Sequence, residues 1–89
     1  MPEPVQDDAY WSEMIKALEA EIAGIEQSQK ACREQEWRLR DAEDPGAGVQ
    51  HAQDIFELGQ ERLRLEVEAD LRRRKIRRIR LGYLPDAAC

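Results

Sequence analysis

The chain has 89 residues, 37% of them charged and only 6% aromatic, and a net charge of -5. That length allows one small domain with little self-sufficient core, and the excess of Leu, Ile, Ala, Glu and Arg favours long helices over a β-rich globule. The acidic balance argues against nonspecific nucleic-acid binding, no run reaches the ~18 apolar residues of a membrane span, and the acidic start MPEPVQDD is unlike a secretory leader, so a cytoplasmic setting is expected.

Residues 1–7 hold two prolines and no apolar period, which predicts a flexible N-terminal tail. Asp7 and Asp8 then offer an N-cap, and their charge suits the positive end of a helix dipole. From Trp11 onward one series steps alternately by four and three: Trp11, Ile15, Leu18, Ile22, Ile25, Gln29, Cys32, Glu36 and Leu39. This is a heptad seam, apolar in its first half and partly polar later, and it predicts helix 1 over about 8–42. Glu26, Lys30, Glu34 and Arg38 alternate in sign at i,i+4 spacing and read as a solvated ladder on the outside.

Asp44-Pro45-Gly46-Ala47-Gly48 interrupts the pattern. Proline costs ~3 kcal/mol and glycine ~1 kcal/mol inside a helix, so residues 43–48 are expected to turn. Pro45 is also suited to the first position of a following helix.

Helix 2, expected over about 49–82, carries a second seam: Ile55, Leu58, Arg62, Leu65, Ala69, Arg72, Ile76, Ile79 and Tyr83. Laid antiparallel, Trp11 meets Tyr83, Ile15 meets Ile79, Leu18 meets Ile76, Ile25 meets Ala69, Gln29 meets Leu65 and Leu39 meets Ile55. Each pair lies equally far on either side of Ala47, inside the turn. Two stripes read independently therefore share one register. Charge favours the same pairing, because RRRKIRRIR at 72–80 comes to lie beside Glu13, Glu19 and Glu21, with Glu3, Asp7 and Asp8 beyond. Gly82 and Pro85 stop the helix, leaving 85–89 as a C-terminal tail.

The fold expected over 8–84 is thus all-α, an antiparallel two-helix coiled-coil hairpin dimerising into a four-helix bundle. In it Cys32 and Cys89 are too far apart to pair, which fits free thiols in a reducing compartment.

Chemistry is sparse. His51, the only histidine, sits i,i+3 from Asp54 with no further ligand at a suitable spacing, so no metal and no cofactor is expected. No phosphate loop, nucleophile elbow or paired-carboxylate spacing is present, and the chain reads as non-enzymatic with no small-molecule substrate. Three surfaces remain. Ala52, Phe56, Gly59, Leu63 and Val67 form an apolar row on helix 2 that the seam does not use, which calls for a protein partner or a second copy. Ala17, Ala20, Ala23, Gly24 and Ala31 give helix 1 small residues that permit close approach, and Trp37, near Phe56, is placed to cover the turn end. Arg72, Arg73, Arg74, Lys75, Arg77, Arg78 and Arg80 either balance the acids of helix 1 or contact nucleic acid. Asp41, Glu43 and Asp44 make an acidic tip.

Arm length, the Glu43-Asp44-Pro45 tip and the Gly82-Tyr83 step resemble the coiled-coil finger of DksA-type factors, which implies entry into the secondary channel of RNA polymerase. The zinc-binding CxxC module of that family is missing, and the residues after the turn depart from its register. The hairpin also resembles Rop-like dimers, which implies RNA binding on one face of a four-helix bundle. Small acidic hairpins of this shape recur among phage accessory proteins and secretion chaperones. The leading expectation is a protein-interaction module, acting as a regulator, inhibitor, chaperone or assembly factor.

Overall fold

A computed structural model describes residues 8–82, with side chains from residue 9 onward. The tails, Asp7, Tyr83 and Cys89 lie outside the described residues, as does the side chain of Asp8. Two helices account for the architecture, α1 over Asp8–Ala42 and α2 over Ala52–Arg80, packed along each other in a hairpin. The molecule is a rod of 74 × 23 × 13 Å. Among the described residues there is no named strand.

The seam forms where the heptads place it. Leu18, Leu65, Ala69 and Ile76 are buried, and Ile15, Ile22, Ile25, Leu39, Ile55, Leu58 and Ile79 are half-buried. Ala69 is fully covered, so a small residue there lets the helices close. Intervening positions are mostly exposed, which is why neither helix would be stable without the other. Gln29 and Glu36 are buried as well, and they divide the rod into an apolar half near the termini and a polar half near the turn.

The turn closes by backbone hydrogen bonds. The N–H groups of Asp44 and Val49 each donate to the other's carbonyl at 2.9 Å, and Ala47 N–H donates to Asp44 O at 3.0 Å. Pro45 opens a short 3-10 turn, Pro45–Ala47, and does not open α2. Gly48 follows at φ 77, a left-handed conformation that glycine adopts without a Cβ penalty. Because Val49 is held against Asp44, α2 begins at Ala52, three residues later than the periodicity predicts. Its first turn is capped across the loop, where Glu43 Oε2 accepts the His51 N–H at 3.0 Å. At the other end Gly82, at φ 90, donates to Ile79 O at 3.0 Å and terminates the helix.

Candidate interaction surfaces

Gln29, Glu36, Arg62 and Arg72 of the seam find partners in it or along its edges. The Arg62 guanidinium donates to both carboxylate oxygens of Glu36, one through Nε and one through Nη2 at 3.3 Å. Gln29 Nε2 donates to Glu66 Oε1 at 2.9 Å. Arg72 reaches Glu21 on α1 at 2.7 Å and Glu68 on its own helix at 2.8 Å, so one cation holds two carboxylates that would otherwise repel. Such groups fix orientation and register more than they add stability, since a slipped or parallel pairing would leave a buried charge alone.

Four carboxylates are held below the usual glutamate value of 4.5 by these partners. Glu36 is lowered by its hydrogen bond from Arg62, Glu66 by that from Gln29 and then by the Arg73 charge, Glu68 by Arg72 and Glu61 by Arg64. A carboxylate whose folded value is depressed stabilises the fold above its unfolded value and loses that contribution as pH falls through the folded one. The melting temperature is therefore expected to be flat near neutrality and to drop as the pH falls from about 5. Glu36→Gln should shallow that drop. Melts followed by circular dichroism across pH check both, and a melting temperature unchanged down to pH ~3 would refute them.

The basic run is largely engaged. Arg73 bridges to Glu26 at 3.0 Å and Arg80 to Glu19 at 3.1 Å, both on α1, while Arg74 pairs with Asp70 one turn back at 2.7 Å. With Arg72, four of the seven cations thus meet carboxylates. Lys75, Arg77 and Arg78 have no ion pair among the described residues. Two expected partnerships differ. Glu13 pairs with Lys16 at 3.5 Å instead of with the basic run. Glu26 crosses to α2, so the outer ladder of Glu26, Lys30, Glu34 and Arg38 does not form as ion pairs among the described residues. In the second case a long arginine of α2 reaches a carboxylate beside the seam.

The apolar row of α2 stands in solvent. Phe56 is 61%, Leu63 60% and Val67 58% exposed, and the row continues through Leu71 at 51% and Leu81 at 65%. Ala52 is exposed and Gly59 half-buried at the flank. An added Cβ at Gly59 would meet nothing within 4 Å, and the gap opens into a groove of about 540 Å³ lined by Phe56, Leu63, Arg40 and Glu36. Trp37 does not cover the turn end. It is 67% exposed, because its position on α1 points away from the seam. The small residues Ala17, Ala20, Ala23, Gly24 and Ala31 are likewise exposed.

At the tip Asp41 and Asp44 are exposed, whereas the Glu43 carboxylate is occupied by the start of α2. His51 is half-buried at the N-cap, Cys32 is a half-buried free thiol beside Arg62, and no cluster of potential metal ligands occurs among the described residues. Among the described residues no helix is long and apolar enough to cross a membrane. Comparison with protein-family models, curated proteins and solved structures finds no match.

Proposed function

We propose that the chain is a non-enzymatic protein-interaction module whose working surface is the outer face of α2. The observation that carries this reading is the row Phe56, Leu63 and Val67, each more than half exposed, on a helix whose seam is already filled by α1. Large apolar side chains aligned along a rigid helix are the form in which helices dock on other proteins. The simplest occupant is a second copy, giving a four-helix bundle, and a regulator, inhibitor or assembly factor would use the same face on a foreign target.

Leu63→Glu is expected to abolish association, with itself or with a captured partner, while helicity by circular dichroism stays within about a tenth of the parent, since surface substitutions cost little. Unchanged association of the variant would refute the reading. A nucleic-acid reading of Arg72–Arg80 has less support, because four of its cations are engaged by carboxylates of the hairpin. The finger-like reading has less support too, with Glu43 taken up as a cap.

A further inference from the structure

A groove of about 400 Å³ opens between the helices towards the end of the rod that carries the termini. Ile22 of α1 and Ile76 and Leu81 of α2 give it an apolar lining, and Arg73, Arg77 and Arg80 stand around it. Arg73 and Arg80 are held by Glu26 and Glu19 of α1, whereas Arg77 has no ion pair among the described residues. The groove therefore suits a short segment that offers an apolar side chain and, a residue or two further on, a carboxylate.

A segment of that kind leaves the hairpin beside it. Leu81 lines the groove, and the chain runs from it through Gly82 into Tyr83-Leu84-Pro85-Asp86. Gly82, at φ 90 with its N–H donating to Ile79 O, has the left-handed geometry after which a chain commonly packs back on the last turn of its helix. The residue after the glycine then meets Arg77 and Arg78, and a tyrosine ring can cover a guanidinium. The Nε of Arg78 is buried and meets no acceptor among the described residues, so this turn holds a donor that a returning carbonyl can use.

We propose that residues 83–86 fold back as a strap over this groove, with Leu84 on Ile22 and Ile76 and Asp86 at Arg77. Reach and order agree with that placement. Pro85 favours an extended Leu84. At ~3.3 Å per extended residue against ~1.5 Å per helical one, Leu84 returns to the level of Arg77 and Asp86 to that of Arg73. The Arg77 side chain leans towards the start of its helix, and so towards that carboxylate. Residues 1–7 also hold acids and Val5, but they set out from Asp8, ~16 Å along α1 from Glu19. Tethering gives the strap an effective concentration of about millimolar, which favours it over a free peptide of the same chemistry. The strap is independent of the docking reading of the outer face of α2, and while seated it keeps acidic ligands from Arg77.

The test uses the full chain carrying Cys32→Ala and Cys89→Ala, so that no thiol oxidises. In methyl-labelled NMR spectra, Leu84 should show nuclear Overhauser contacts to Ile22 and Ile76. Chymotryptic cleavage after Tyr83 reads the fraction of unseated strap. Arg77→Glu and Asp86→Arg should each speed that cut about threefold, and the two together should bring it back near the parent rate. Lys75→Glu, in the same basic run but outside the groove, should change it little. Equal acceleration by Arg77→Glu and Lys75→Glu, a double variant as fast as its parents, or the absence of Leu84 contacts to the groove would overturn the strap. So would contacts from Val5, or contacts seen only between differently labelled chains, which would give the groove to residues 1–7 or to a second copy.

Discussion

Ile76→Asp is expected to abolish the folded hairpin. Ile76 is 6% exposed, in the apolar half of the seam, where it lines a groove with Ile22 of α1. The variant removes a core side chain and places a carboxylate in the apolar half of the seam, where a cation of the adjoining groove, lined by Arg73, Arg77 and Arg80, would have to leave solvent or its own carboxylate to meet it. Loss of a buried isoleucine alone costs ~2–5 kcal/mol, and an unpaired buried charge adds several more unless it protonates. A rod with so few buried side chains has little stability to lose. At 25 °C and neutral pH the far-ultraviolet helical signal should fall by more than half. Ala23→Asp, on the exposed side of α1, should leave the signal nearly intact. A folded Ile76→Asp protein would mean that the seam does not hold the hairpin together.

The second large effect is expected at Glu36 and Arg62. Glu36→Leu leaves the Arg62 guanidinium half-buried without its carboxylate, and should destabilise the hairpin by ~2–3 kcal/mol, below the cost of a fully buried pair because the Arg62 side chain is 34% exposed. Adding Arg62→Leu removes the stranded charge, and the double variant should match or exceed the parent in stability. Its register should be less well defined, because the buried ion pair that penalises slipped pairings is gone. Chemical denaturation of the four proteins gives the coupling energy, and cross-links between cysteines placed across the seam report the register. A double variant as unstable as Glu36→Leu would show that the pair contributes net stability through its own geometry.

Much of the hairpin was legible because its rule is periodic. Trp11 to Leu39 and Ile55 to Ile79 announce their faces by spacing, and the turn between them folds the two helices into a hairpin. What the period does not encode is reach. Nothing in the spacing says that Arg73 extends to Glu26 instead of leaving it in an outer ladder, or that Glu43 accepts the N–H of His51 across a loop. The start of α2 was misplaced for the same reason, since Val49 is drawn out of the helix by a bridge to Asp44. Trp37 was read as a cover from its closeness to Phe56 across the hairpin, but closeness in level says little about direction around a helix. The exposed row was legible from Ala52 to Val67, whereas Leu71 and Leu81 drift around the helix axis and become part of it only once the outer face is viewed as a whole.

The division of the seam into an apolar and a polar half gives the two ends of the rod different responses to temperature. Contacts around Leu18, Ala69 and Ile76 weaken on cooling, as apolar burial does. Contacts around Glu36 and Arg62 are less sensitive to cold and, being partly buried, are screened less by salt than the exposed pairs Arg72–Glu21, Arg73–Glu26 and Arg80–Glu19 that flank the apolar half. Cold, salty buffer therefore loosens the half that carries the termini first, and the half beside the turn keeps its grip. A partner seated across Val67, midway along α2, would span both halves and make their opening a single event.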